Sequence, residues 1–157
     1  MIDKTINACT NKLYSEFGSG YTLYVDAPDQ NFKTPSFIVD VINPMQERKR
    51  PFSLRDEEGE HVVFRPAMMY YRIMPTLIQY FPKDKKGKHE CLQVAERIFN
   101  TIEEITIDGK VIRGADFEMQ ITEDVLQIFV TYRFYTMKVE GDYETFETVY
   151  TDITNKN

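Results

Sequence analysis

The sequence predicts an α+β domain: a mixed, mainly antiparallel sheet, two amphipathic helices packed on one of its faces, and a β-hairpin inserted at residues 50–66. Three observations carry this. Two segments repeat apolar residues at helical spacing, and one long stretch alternates with the period of two that a strand imposes. The third is an excess of rings, 11 Phe and 10 Tyr without Trp among 157 residues, which favours strands and large buried or contact surfaces.

In the first helix Ile2, Ile6, Cys9, Leu13 and Phe17 form one stripe at steps of four, three, four and four. Asp3 is the expected N-cap, and Gly18-Ser19-Gly20 the stop, because glycine takes the left-handed C-terminal conformation freely. Two strands follow at 21–26 and 36–42, with a turn at Pro28-Asp29 between them and Asn43-Pro44 closing the second. Pro51-Phe52-Ser53-Leu54 and His61-Val62-Val63-Phe64 flank the charged run 56–60, as in a hairpin with a solvated tip that Pro66 ends. Pro75 predicts a bulge or edge, with a clean strand only from Thr76 to Phe81.

The second helix places Cys91, Val94, Ala95, Ile98, Phe99 and Ile102 on one side. After it, Asp108-Gly109 turns the chain, runs at 111–114 and 116–121 read as strands, and Glu123-Asp124 turns it again. In the longest strand Leu126, Ile128, Val130, Tyr132 and Phe134 share a core face. Gln127, Phe129, Thr131, Arg133 and Tyr135 share the other, a mixed aromatic and polar surface suited to solvent or a neighbouring subunit. The stretch 143–152 reads as strand or arm, although Tyr143, Phe146, Val149, Tyr150 and Ile153 also fit helical spacing.

Composition narrows the function. With 42% apolar and 28% charged residues the chain is a globular domain, and one domain over 1–157 is expected. Its N-terminus lacks a signal peptide's apolar core, and no stretch approaches the roughly 18 apolar residues of a membrane span, so a cytosolic protein without a membrane partner is expected. A net charge of −6 argues against a specific nucleic-acid partner. The basic clusters Glu47-Arg48-Lys49-Arg50 and 83–89 read as solvated loops.

A search for chemistry finds no catalytic, cofactor or metal site. Gly18-Ser19-Gly20 follows a helix, whereas a phosphate cradle precedes one. His61 and His89 are isolated, and Cys9 and Cys91 sit on apolar stripes where a thiol acts as a small hydrophobe. The acidic run 56–60 lacks the alternating ligand spacing of a calcium loop.

An order of motifs then points to a family. Leu13-Tyr14-Ser15-Glu16-Phe17, Tyr21-Thr22-Leu23-Tyr24, Pro35-Ser36-Phe37-Ile38-Val39, Asn43-Pro44, Ile78-Gln79-Tyr80-Phe81-Pro82, Val94-Ala95-Glu96-Arg97-Ile98-Phe99, Arg113-Gly114 and the strand 126–134 succeed one another. This order resembles the small tail terminator proteins of tailed phages and prophages of Gram-positive bacteria, over roughly residues 1 to 137. Where this chain carries 50–66, the relatives it resembles have a much shorter basic loop, and its C-terminal extension 138–157 is longer.

The resemblance implies a structural, non-enzymatic protein without a cofactor. It implies a homo-oligomeric ring, usually hexameric, at the head-proximal end of the tail tube. Its partners would be the tail tube protein, the sheath protein where the tail contracts, and the head connector; in headless contractile bacteriocins the homologous part caps the tube. Another small head-to-tail completion protein is the alternative. Phe52, Leu54, Val62, Phe64, Gln127, Phe129, Thr131, Arg133 and Tyr135 are the expected subunit or tube contacts.

Overall fold

The computed structural model describes residues 1–24, 32–58, 60–84, 86–139 and 148–151. In chain order they form α1 (Ile2–Phe17), β1 (Thr22–Tyr24), β2 (Ser36–Val41), β3 (Met45–Glu58), β4 (His61–Phe81), α2 (Lys88–Ile102), β5 (Glu104–Ile107), β6 (Lys110–Thr122), β7 (Val125–Val139) and β8 (Thr148–Thr151). The strands make an eight-stranded sheet in the order β1-β2-β4-β7-β6-β5, with β3 also on β4 and β8 also on β7. Only β1 and β2 run parallel among the described pairs.

β4 and β7 are the spine, paired from Ala67 opposite Val139 to Tyr80 opposite Leu126. Each carries two strands end to end on its outer edge. β2 and then β3 line β4, while β6 and then β8 line β7. The sheet thus has two parts. At the β2 and β6 end it is the floor of a body covered by both helices, and at the β3 and β8 end it continues as an arm.

The body's core follows the period of the strands. Met74, Ile78 and Tyr80 on β4 stand beside Leu126, Ile128, Val130, Tyr132 and Phe134 on β7, all fully buried on one face. Onto this face α1 brings Cys9, Leu13 and Phe17, and α2 brings Cys91, Val94, Ile98 and Ile102. Each large apolar side chain buried this way contributes about 1.5–3 kcal/mol, which makes the helix-covered face the main source of stability. Two polar ties fix the layers. Tyr80 donates to Glu90 Oε2 at 2.6 Å, and the same oxygen accepts the Lys83 amide at 2.8 Å.

The prolines depart from expectation. β4 runs unbroken through both Pro66 and Pro75. Pro75 faces the joint between two edge strands, because β2 ends at Val41 opposite Thr76 and β3 starts at Met45 opposite Ile73. The Pro75 carbonyl accepts from Ile42 at 2.8 Å on that side, so its missing N–H also faces the joint, where the ladder passes from β2 to β3 and only the reciprocal bond to Ile42 is forgone. Pro66, nine residues away, has the opposite parity and turns its nitrogen toward β7, beyond the last described pair at Val139.

Other boundaries shift as well. Asp3 does not cap α1, whose N-cap is Met1 without a side-chain cap bond. Gly18 ends that helix at φ 76, as its flexibility predicts. Glu47-Arg48-Lys49-Arg50 is strand, with a bulge at Lys49, and Lys88-His89 open α2. The runs at 111–114 and 116–121 are one strand, β6, bulged between Ala115 and Glu118. β1 is shorter than 21–26, and residues 25–26 and the Pro28-Asp29 turn lie outside the described residues. Of 143–152, only 148–151 are described, and they are strand.

Candidate assembly surface

Because both helices lie on one face of the body, the opposite face, among the described residues, is built from strand rows. Gln79, Gln127 and Gln120 form one row across β4, β7 and β6, with Gln120 donating to Gln127 at 2.6 Å. The next row holds Leu77, Phe129 and Glu118, and the one after it Pro75, Thr131 and Ala115. Ile73 and Arg133 follow, then Tyr71 and Tyr135, whose ring centroids are 4.9 Å apart. Gln127, Phe129, Thr131, Arg133 and Tyr135 are therefore brought onto one partly buried surface of alternating apolar and polar rows.

Arg133 on this face is held by Asp116 at 2.7 Å. Asp116 sits in the β6 bulge at φ 56, a conformation that aspartate tolerates better than most residues. The bulge turns its carboxylate across to β7. Gly114 precedes it and leaves no room for a side chain: an added Cβ would lie 2.6 Å from Val130 Cγ2. Its amide donates to the Glu103 carbonyl at 2.8 Å, joining β6 to the end of α2.

In the arm, Phe52 and Leu54 lie on the same face as Tyr71 and Tyr135, by the pairing of Phe52 with Ala67 and Leu54 with Arg65. There they pack against Ala67, Met137 and Val139, a small second core. Val62 and Phe64 point the other way, beside Glu57 and Arg55, and are 45% and 64% exposed. The nine expected contact residues thus divide between two surfaces. Seven share the face opposite the helices, and two are on the reverse of the arm tip.

The titratable groups of the core are tuned away from reactivity. Burial pushes the Cys9 thiol up to about 12 and also raises Tyr132 beside it. Burial raises Cys91, with Glu90 and Asp124 adding to the effect. Tyr80 is raised by burial first and by Glu90 second. Each shift favours the neutral protonated form, the reverse of what activates a nucleophile. Both cysteines are free and buried, His89 is exposed, and the His61 side chain lies outside the described residues. Among the described residues no group of three metal-ligating side chains occurs, and no helix is long and apolar enough to cross a membrane.

Sequence reasoning missed β5 and the length of β3. The alternation of Ile105 and Ile107, both buried, was the available signal for β5. For β3, charged residues at 47–50 masked a strand that needs no apolar alternation because it lies at an edge.

No curated protein matches the chain in sequence. Residues 65–144, a little over half of the chain, match the family model described as phage tail terminator protein. The matched span covers most of β4, all of α2, β5 and β6, and β7 to its end, so it contains the spine, one covering helix and the row-built face. The chain belongs to the phage tail terminator protein family, and it is a structural component of the virion tail that works through contact with other tail proteins.

Proposed function

We propose that the protein is the ring-forming terminator of its tail, capping the head-proximal end of the tube, stopping polymerisation and offering a junction to the head connector. Assembly takes place in the host cytoplasm, and where the tail contracts the ring also meets the last sheath ring. One observation supports this reading beyond family membership. A single continuous sheet carries two dissimilar surfaces, the row-built face of the body and the arm that runs past both helices. A closed ring joins each copy to the next through two different patches, and a hexamer is the state we assign. The net charge of −6 fits a part that DNA passes without being retained.

Labelled protein in negatively stained particles tests the position. Label at the head-proximal end of the tube supports the proposal, and label on the side wall or baseplate contradicts it. Normal tail length combined with failed head joining, in particles lacking the protein, would instead favour a head-to-tail completion protein.

A further inference from the structure

The arm carries two surfaces that complement each other but cannot meet within one chain. Near its base, on the side away from the Phe52 and Leu54 cluster, lies a groove of about 330 Å³ whose lining includes Pro51, Pro66, Met68 and Tyr70, with Arg48 and Lys138 also contributing. Its floor is mostly apolar, and its two charged lining residues are both cationic. At the other end of the arm, Val62 and Phe64 are exposed on the same side. Glu57, exposed at the end of β3, stands opposite Val62, and the sequence 56–60 is acidic at every position but glycine. Apolar residues edged by carboxylates thus stand at one end, and an apolar groove edged by cations at the other.

β3 and β4 pair without interruption from Arg50 opposite Met69 to Glu58 opposite His61. At the rise of an extended strand, the row of Glu58 stands about 23 Å from the row of Pro51. A continuous ladder cannot fold back over that distance. The occupant that fits the groove in charge and in apolar character is therefore the tip of a second copy.

We infer that the hairpin tip of each subunit seats in the basic groove at the base of the next subunit's arm, with Val62 and Phe64 on its apolar floor and Glu57 and Glu60 against Arg48 and Lys138. This rests on the ring reading above and specifies one of its two contacts. Electrostatic complementarity of this kind sets register and orientation around the ring more than it sets raw affinity. A phosphate ligand fits the groove less well, because Pro51, Pro66 and Met68 offer it no donors.

The test uses the full chain in assembled tails. Phe64→Cys and Met68→Cys together, with Cys9 and Cys91 buried, should give on oxidation a ladder of covalent species beyond the dimer, and neither single variant should do so. Dimers alone, or dimers from Phe64→Cys by itself, would mean tip-to-tip or two-fold pairing and would overturn the inference. Reversing charge at the tip (Glu57→Lys with Glu60→Lys) or at the groove (Arg48→Glu) should lower incorporation about tenfold, and combining the two should restore it. Full incorporation of each single reversal, or failure of the combination to restore it, would overturn the contact. If tails carrying these variants stay capped at normal length without a ladder, the contact fails while the terminator reading stands. If the unaltered chain is absent from the tube end, the reading fails and the inference falls with it.

Discussion

The Tyr132 hydroxyl on β7 donates to the main-chain carbonyl of Ile102, the last residue of α2, at 2.6 Å. Carbonyls at a helix C-terminus have no partner within the helix, and this one is buried against the sheet instead of meeting water. The bond therefore pins α2 to the spine at the point where the chain turns into β5. Tyr132→Phe keeps the ring and leaves that carbonyl unpaired, so it should cost roughly 1–3 kcal/mol. A lower urea midpoint at unchanged m-value is the expected result.

The same hydroxyl lies beside Cys9, and the two set an alkaline limit. The thiol titrates at its ordinary 9.0 in the unfolded chain and at about 12 in the fold. The folded state thus holds a proton that the unfolded state has released. Stability from this group is complete below pH 9.0 and falls as pH rises from there through about 12, at up to about 1.4 kcal/mol per pH unit. Tyr132 and Tyr80 are shifted in the same direction and add to the loss at higher pH. Thermal melts across this range should show the decline, and Cys9→Ala should flatten its onset.

Gly114 is a packing requirement. A methyl group there meets Val130 Cγ2 at 2.6 Å and the Phe117 ring at 3.0 Å, so Gly114→Ala should destabilise by about 1–3 kcal/mol through overpacking. Val130→Ala creates a space beside it. In a double-mutant cycle the two substitutions should cost less together than the sum of their separate effects.

Two neighbouring residues of α2 should differ sharply. Ile98 is fully buried in the main core, whereas Phe99 is only partly buried and meets Phe117 edge-on at 5.9 Å. Ile98→Ala should cost about 2–5 kcal/mol through the cavity it leaves. Phe99→Ala should cost clearly less despite removing the larger side chain. Equal losses in denaturant titrations would contradict the burial of the helix.

Much of this fold is written in local periodicity. The alternation from Leu126 to Tyr135 and the stripe from Cys91 to Ile102 stand in the structure as the sequence implies, since a buried face leaves little freedom in its pattern. What periodicity could not reveal was context. Pro66 and Pro75 are ordinary strand breakers in sequence, and only the register of the neighbouring strands shows that Pro75 falls at the joint between β2 and β3 and that Pro66 lies past the last described pair of β4 with β7. The placement of the expected contact residues was partly legible for a similar reason. Sharing a face along β7 is fixed by the period of two, but relating Phe52 and Leu54 to it, and Val62 and Phe64 to the reverse side, requires the register of β3 on β4 and the bulge at Lys49.

Capping of the tube end is tested most directly by the length distribution of tails assembled without this protein, measured by electron microscopy. Tubes of variable and greater length, with unfinished ends and no attached heads, are the expected result. A narrow distribution at the normal length, with heads attached, would contradict a terminator.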